Sequence, residues 1–153
     1  KRKGVSLAMC IGTHMDLRKK LFMFFKKKGF RFLTYIHPAA VTVGNARYGE
    51  GSVVFPGAIL GPSSRIGNNV CVHSNAVIEH RSVVEDHSYI SPGVSIAGDC
   101  HIGKSSFIGV NAGMVDSIRL NQKTTVGAGS IVLKSFRKGN ITLVGIPARI
   151  LKR

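Results

Sequence analysis

Acidic residues are scarce in this chain, in which seven Asp and Glu face 22 Lys and Arg, for a formal net charge of +15. Long apolar runs are absent as well. None approaches the roughly 18–20 residues that a membrane-spanning helix requires, so we expect no membrane span. The basic start at Lys1–Lys3 is not followed by a long apolar region and a cleavage site, and we therefore expect no secretory signal peptide.

Cysteine is also rare. The three residues Cys10, Cys71 and Cys100 are odd in number and lack the spacing of metal ligands. Cys100 falls where the repeat described below takes a small residue, so we expect a buried, reduced thiol there. Together these observations predict a cytoplasmic chain.

The positive charge lies at the two ends of the chain. Between Val54 and Val132 there are five basic and five acidic residues, so this central stretch is neutral. Basic ends suit a polyphosphate ligand, a nucleic acid or an acidic membrane. No nucleic-acid-binding motif is present, and we therefore expect a small-molecule ligand and no nucleic acid.

An aliphatic residue or Met recurs at every sixth position from Val54 to Val132 without a break. The fourteen positions are Val54, Leu60, Ile66, Val72, Ile78, Val84, Ile90, Ile96, Ile102, Ile108, Met114, Leu120, Val126 and Val132. A period of six fits neither an amphipathic helix nor simple strand alternation. It is typical of a solenoid in which each hexad is one short strand followed by a turn.

Two further positions of the hexad support a solenoid. Four residues after the aliphatic position stand small residues: Ala58, Ser64, Ala76, Ser82, Ser88, Cys100, Ser106, Ala112, Thr124 and Ser130. Directly after the aliphatic position Gly recurs, at Gly61, Gly67, Gly103, Gly109 and Gly127. We expect these glycines to supply turn conformations that a Cβ disfavours. With about 18 residues per coil, the repeat predicts a little over four coils, and weaker matches at 36, 42 and 48 add about one more.

A strand and a helix are predicted before the repeat. The apolar run Val5–Gly12 predicts a buried strand, and Thr13 or Asp16 is a candidate cap for the helix, which ends at Gly29. One helical stripe is apolar among lysines: Leu17, Leu21, Phe24 and Phe25. One strand and one helix cannot form a stable α/β domain. We therefore interpret residues 1–35 as the remnant of an N-terminal α/β subdomain.

The repeat predicts a β-helix domain over residues 36–135, entered through a turn at His37. Residues 136–153 are predicted to form a C-terminal strand, at Ile141–Val144, and then a turn and a basic tail. An open-ended stack of coils with outward side chains also predicts an oligomer.

Several segments taken together resemble one enzyme family. They are the hexads, Val77–His80, Ile90–Gly93, Ala97-Gly98 and the closing Gly145–Arg149. The chain is similar over its whole length to sugar acetyltransferases of the NeuD/PglD type, which are left-handed parallel β-helix enzymes that work as trimers and use acetyl-CoA. The resemblance implies that fold, a homotrimer and acetyl-CoA as co-substrate. It makes residues 1–35 the end of the family's nucleotide-sugar-binding subdomain, whose glycine-rich loop has no counterpart in this sequence.

Acetyl transfer from a thioester needs a base near the nucleophile and donors for the developing oxyanion. It needs no covalent intermediate. The candidate bases are His73, His80, His87 and His101, and the resemblance assigns the catalytic role to His80. That residue follows Ile78 by two positions, where a side chain can point out of the coil toward a neighbouring subunit. The implied acceptor is the amine of a nucleotide-linked amino sugar, with a sialic-acid-type hydroxyl as the alternative.

The chain departs from the family pattern around this base. Arg81 stands where the family has an acidic residue directly after the His, and a cation there disfavours the protonated imidazole. His73 replaces an Asn, and Tyr89 replaces a second His that contacts the cofactor, with His87 two residues away. Glu79, Glu85 or Asp86 is a candidate to orient an imidazole instead.

The resemblance also implies contacts between the coil edge and the cofactor. The backbone contacts fall at Gly98, Val110 and Ala128, with Gly98 as the oxyanion N–H donor. Three basic residues near the C-terminus are candidates to meet the phosphates of CoA: Lys134, Arg149 and Lys152.

Three alternatives stay open. β-helix carbonic anhydrases bind zinc through three His ligands from adjacent subunits, but the close His pair of that family is absent, and we expect no metal. A β-helix trimer that only binds CoA or a partner is a second class, which Arg81 favours. A basic scaffold for nucleic acid is a third, and it predicts an affinity that falls steeply with salt.

Overall fold

The computed structural model describes residues 5–152, and the basic residues Lys1–Lys3 lie outside them. The chain begins with β1 (Ser6–Leu7), α1 (Met15–Lys27) and β2 (Arg31–Phe32), and β1 pairs in parallel with β2. The prediction of a strand at 5–12 is right in place but too long. It is also wrong about burial, because Ser6 is exposed and Leu7 is only partly buried.

Three sheets form the sides of a coil, and their strands are parallel except for the last strand of the first side. The first side holds β3 (Tyr35–Ile36), β6 (Val53–Val54), β9 (Cys71–Val72), β12 (Tyr89–Ile90), β15 (Phe107–Ile108), β18 (Thr125–Val126), β20 (Thr142–Val144) and β21 (Arg149–Ile150). The second side holds β4 (Val41–Thr42), β7 (Ile59–Leu60), β10 (Val77–Ile78), β13 (Ser95–Ile96), β16 (Gly113–Met114) and β19 (Ile131–Val132). The third side holds β5 (Arg47–Tyr48), β8 (Arg65–Ile66), β11 (Val83–Val84), β14 (His101–Ile102) and β17 (Arg119–Leu120).

The strands stack with a register of one coil, so that Ile78 lies between Leu60 and Ile96. All fourteen aliphatic positions of the repeat are buried, and none exposes more than 5% of its surface. The small residues four positions later are buried with them. The predicted hexads and the added first coil, made by β3, β4 and β5, are therefore confirmed.

Serine side chains satisfy the backbone inside the corners. Ser82 Oγ donates to the carbonyl of Ala97 at 2.8 Å and accepts from the amide of Cys100 at 2.9 Å, one coil further on. Ser88 repeats the arrangement with the carbonyl of Gly103. A small hydroxyl thus fills a corner and links two coils at once, which explains the preference for Ser at this position.

The turns adopt a left-handed conformation three residues after every aliphatic position except Val132. Ten non-glycine residues there have φ between 52° and 63°: Ser63, Asn69, Asn75, Arg81, His87, Asp99, Ser105, Asn111, Ser117 and Lys123. The glycines directly after the aliphatic positions do not have positive φ, so the expectation that they supply turn conformations is wrong. They are required by close approach instead. A Cβ on Gly109 would lie 2.6 Å from the amide nitrogen of Ala128.

Helix α1 packs against the first coils. His14 is its N-cap and makes no side-chain capping bond, so the expectation of a cap at Thr13 or Asp16 is wrong. The helix ends as predicted, with Gly29 at φ +80° after it. Its buried side chains are Arg18 and Phe22. The predicted apolar stripe is not the buried face: Leu17 and Phe24 are nearly half exposed, while Leu21 and Phe25 are partly buried.

The C-terminal segment closes the end of the coil. The predicted last strand is present as β20, which extends the first side in parallel with β18. After the turn at 145–148 the chain forms β21, antiparallel to β20. We predicted only a basic tail for this segment, and the strand β21 was not predicted. Cys71 and Cys100 are buried and Cys10 is exposed, all with free thiols. No helix among the described residues is long and apolar enough to cross a membrane.

Lys123→Asn is expected to raise the free energy of unfolding by about 1 kcal/mol, because Lys123 has φ +56° and a left-handed conformation costs roughly that much for a residue other than Gly or Asn. Urea denaturation measures the effect. Lys104→Asn is the matched control, since it removes the same charge from the preceding position of the equivalent turn one coil earlier, where φ is not positive. Equal changes in both variants would contradict this account of the turns.

Candidate functional site

The candidate histidines occupy different corners of the coil. His73 follows β9, at the corner where the first side meets the second; His80 follows β10, at the corner of the second and third sides. His87 precedes β12, at the corner of the third and first sides, and His101 lies on β14. Within one protomer these imidazoles therefore do not converge. Among residues 5–152, no three His, Cys, Asp or Glu side chains are grouped as metal ligands.

The imidazole of His80 rests on the backbone of Gly98, one coil further along. A Cβ at Gly98 would overlap the ring at Nε2, Cε1 and Cδ2, so glycine is what lets the ring lie there. The amide of Gly98 donates to Asp116 Oδ1 at 3.0 Å. In this protomer the N–H that we expected to meet an oxyanion is thus directed at a carboxylate of the next coil.

Carboxylates approach both nitrogens of the His80 ring. Glu79 Oε2 lies 3.6 Å from Nδ1, and Asp99 Oδ2 lies 3.9 Å from Nε2. The His80 side chain is 41% exposed, so solvent reaches it in the isolated protomer. An imidazole placed in this way is a candidate general base.

Arg81 does not present a free cation to this imidazole. Its Nε and Nη2 donate to the two carboxylate oxygens of Asp99 at 2.7 and 2.6 Å. The guanidinium thus forms a bidentate ion pair with a residue one coil further along the chain. The hydrogen bond from Arg81 holds the pKa of the Asp99 carboxyl below its usual range. The Arg81 cation is therefore paired with a carboxylate that we did not select from the sequence. The register offers the signal for it, because position 99 lies one coil after position 81.

A second group of polar and aromatic residues lies along the first side. The rings of Phe55 and His73 stack at 4.4 Å between centroids, and those of Tyr89 and Phe107 stack at 5.4 Å. Tyr89 Oη and His73 Nε2 share a hydrogen bond of 2.6 Å. Burial lowers the pKa of His73, with a smaller contribution in the same direction from Arg18, so its imidazole is biased toward the neutral form.

Asp86 and His87 belong to the third corner. Asp86 Oδ1 accepts from the amide of Asn68 at 2.8 Å, and His87 Nδ1 is 3.0 Å from Asn69 Nδ2. Burial lowers the pKa of His87. Both side chains bond to the coil before them, and in one protomer neither is a neighbour of His80.

The expected cofactor contacts are divided between two corners. Val110 and Ala128 stand at the first corner, in successive coils, whereas Gly98 stands at the second. Val110 is 44% exposed, and its carbonyl accepts from the amide of Gly129 at 2.8 Å. Lys134 and Arg149 line a surface groove of about 610 Å³ at the C-terminal end of the coil, together with Phe136.

No protein-family profile matches this chain. Several solved structures are similar to it. A histidine variant of perosamine N-acetyltransferase from Caulobacter crescentus, in complex with CoA and GDP-perosamine, is 30% identical with a TM-score of 0.93, over 98% of this chain and 71% of that chain. The acetyltransferase domain of PglB from Neisseria gonorrhoeae is 27% identical with a TM-score of 0.92, over 95% of this chain and 70% of that one. WeeI from Acinetobacter baumannii is 27% identical with a TM-score of 0.84, over 90% of this chain and 66% of that one.

These similarities extend over nearly the whole of this chain, including the strand–helix segment before the coil. They confirm the predicted fold class, a left-handed parallel β-helix preceded by a short strand–helix unit. The PglB domain is also known in complex with acetyl coenzyme A.

Gly98→Ala is expected to displace the His80 ring while leaving the fold intact. Gly98 does not have positive φ, and the atoms that a new Cβ would meet belong to a movable side chain. The NMR chemical shifts of the His80 ring protons should change strongly, whereas the free energy of unfolding should change by less than about 1 kcal/mol. Gly113→Ala is the control, because its Cβ would meet only the end of Ile131. Unchanged His80 resonances in Gly98→Ala would refute the contact.

Proposed function

Since this chain belongs to the hexapeptide-repeat sugar acetyltransferases of the NeuD/PglD type, we propose that it acetylates the amine of a nucleotide-linked amino sugar, with His80 as general base. Acetyl-CoA is the co-substrate and N-acetyl transfer the activity. The observation that carries the proposal is the similarity, over 98% of this chain, to an N-acetyltransferase bound to CoA and GDP-perosamine.

In the proposed reaction the amine of the sugar attacks the thioester carbonyl. A C–N bond forms, the carbonyl oxygen becomes an oxyanion, and His80 takes the proton that the amine loses. Collapse of the tetrahedral intermediate breaks the C–S bond and releases CoA, whose thiolate recovers a proton from the imidazolium. Burial raises the pKa of Cys71 to about 11, so this thiol stays protonated and supports no acyl-cysteine route.

Gly98 remains our proposed oxyanion donor. Its amide points at Asp116 in the free protomer, so the proposal requires this hydrogen bond to be exchanged for one to the thioester oxygen when acetyl-CoA binds. Val110, Ala128 and Tyr89 are the other proposed cofactor contacts. Lys134, Arg149 and Lys152 are proposed partners of its phosphates.

We propose that the working site forms between subunits of a homotrimer. His80 and Gly98 stand at one corner, whereas His73, Tyr89, Val110 and Ala128 stand at or beside another. A neighbouring protomer that sets its first corner against the second corner of this one would bring both sets to one cleft. The open coil and its exposed corner residues support such an assembly.

The strand–helix unit supports a further proposal about domains. Because β1 and β2 are parallel and α1 connects them, residues 6–32 have βαβ connectivity, and this supports our proposal that residues 1–35 belong to an α/β subdomain that contributes to nucleotide-sugar binding. We also propose a cytoplasmic location, where both acetyl-CoA and nucleotide sugars are made available to the enzyme.

The amine is preferred over a hydroxyl acceptor for a chemical reason and a comparative one. A hydroxyl is the weaker nucleophile and needs more help from the base, while the neighbours support N-acetyl over O-acetyl transfer. The alternative function, that of a sialic-acid-type O-acetyltransferase, would transfer the acetyl group to a hydroxyl of the sugar instead.

His80→Ala is expected to lower kcat for acetyl transfer by about 10²–10⁴-fold, the usual range for loss of a general base. Steady-state assays with acetyl-CoA and GDP-perosamine, alongside the corresponding hydroxyl sugar, measure the effect. His101→Ala is the control, since that imidazole pairs with Glu85 on another side of the coil. Turnover that survives His80→Ala, or a wild type that prefers the hydroxyl sugar, would contradict the proposal.

Arg81→Gln and Asp99→Asn are expected to shift the pH–rate profile in opposite directions. Loss of Asp99 leaves the Arg81 cation beside the imidazole, so the acidic limb of kcat/KM moves to lower pH. Loss of Arg81 frees the carboxylate for the imidazole, so that limb moves to higher pH. Lys104→Gln removes a positive charge at another corner and should leave the limb in place. Shifts of equal sign would show that this ion pair does not act on the base.

A further inference from the structure

The side of α1 that faces away from the coil exposes large apolar side chains. Arg18 and Phe22 are the buried residues of this helix, and both face the coil. At 3.6 residues per turn, the opposite side, which we call the outward face, holds a different set of residues. They are Leu17, Lys20, Met23, Phe24, Lys27 and the C-cap residue Lys28. Leu17, Met23 and Phe24 are 46, 44 and 49% exposed, and such a patch is typical of an interaction surface.

Lysines accompany these apolar side chains. Lys20, Lys27 and Lys28 are exposed, and among residues 5–152 none of the three lies within ion-pair distance of a carboxylate. The ammonium of Lys28 lies 4.4 Å from the centroid of the Phe24 ring, so charge and apolar surface occupy the same place. Asp16, in the first turn, is the one acidic residue of the helix. The outward face therefore offers apolar surface and excess positive charge together.

This combination fits one kind of occupant better than the others. A second copy of the chain would set lysines against lysines, and like charges repel. A further protein layer over the whole face would bury Lys20 and Lys27, which is unfavourable unless acids pair with them. Nucleic acid would neutralise the lysines but leave Leu17 and Met23 in water. An anionic bilayer accommodates both features, because its phosphates meet ammonium groups while apolar side chains enter the acyl boundary.

We propose that α1 lies flat on the surface of an anionic lipid bilayer through its outward face. Leu17, Met23 and Phe24 enter the boundary between headgroups and acyl chains, while the lysines reach the phosphates with their alkyl stems along the apolar layer. A helix of 13 residues is too short to cross a bilayer, so this is binding to the surface. The proposal is independent of the proposed acetyl transfer, because binding to vesicles is measured without substrate.

Co-sedimentation of the full chain with lipid vesicles tests the proposal. Vesicles of phosphatidylcholine alone are compared with vesicles in which about a third of the lipid is phosphatidylglycerol. The partition coefficient is expected to be at least about tenfold higher on the anionic vesicles, because each exposed lysine is attracted by the negative surface potential. Raising the salt concentration from about 0.1 to 0.5 M should lower it, since salt screens this attraction.

Two pairs of substitutions separate the apolar contribution from the electrostatic one. Met23→Gln with Phe24→Gln removes apolar surface at unchanged charge and should lower the partition coefficient on anionic vesicles about tenfold. Lys20→Gln with Lys27→Gln should lower it about 25-fold, since each lysine near an anionic surface contributes about fivefold.

A third pair controls for the net charge of +15. Lys123→Gln with Lys138→Gln removes the same two charges from exposed lysines near the C-terminal end of the coil. Because these lysines lie away from α1, the partition coefficient should fall by no more than about threefold, the effect of a weaker long-range attraction.

Phe24→Trp reports on the contact directly. The chain has no Trp, so the new indole is the only one. Its emission should shift to shorter wavelength when anionic vesicles are added, and lipids brominated on their acyl chains should quench it. Leu133→Trp, at a position that is 52% exposed near the other end of the coil, should show neither change.

Three results would overturn the proposal. One is an equal partition coefficient for wild type and both α1 pairs, with circular dichroism showing all three folded. Another is an emission of Phe24→Trp that anionic vesicles leave unchanged. The third assigns the face to a second copy: self-association in sedimentation equilibrium that Met23→Gln with Phe24→Gln abolishes, without binding of the wild type to anionic vesicles.

Discussion

The backbone hydrogen bonds between successive coils are the constraint on which the rest of this structure depends. The amide of Gly67 donates to the carbonyl of Val84, and that of Val84's neighbour Glu85 donates to the carbonyl of Ile102. Each bond links a residue to one almost a full coil later, so no coil can slip without breaking a row of them. Because the bonds fix the register, side chains form columns, and every column is a line of neighbours that are far apart in sequence.

The fold was predictable because the columns leave a period in the sequence. Fourteen aliphatic positions in step, with small residues between them, are enough to specify the buried interior. The turns were less predictable. Arg81, His87 and Lys123 occupy left-handed turns that propensity alone assigns to Gly or Asn, and the coil closure overrides that preference. The helix start was misplaced because His14 caps it without a side-chain hydrogen bond, and β21 was missed because only two residue pairs join it to β20.

The site was predictable only in part, for a geometric reason. His80 could be selected because the motif that indicates it, Val77–His80, is continuous in the sequence. Its surroundings come from the columns: Gly98 beneath the ring and Asp99 beside it are one coil away. The partners expected from sequence spacing, such as His73, lie at another corner. Spacing of seven residues moves a side chain to the next corner, so closeness in sequence misleads here.

The same geometry explains how a motif can change while carboxylates still lie beside its imidazole. In a coil with fixed register, a carboxylate can reach a base from the preceding residue or from the coil above. Arg81 stands where the resemblance implies an acid directly after His80, yet Glu79 and Asp99 approach the two nitrogens of that ring from those other directions. Arg81 in turn fixes Asp99 by a two-point hydrogen bond. Arg81 therefore does not leave the imidazole of His80 without a nearby carboxylate, because Asp99 approaches it from the next coil.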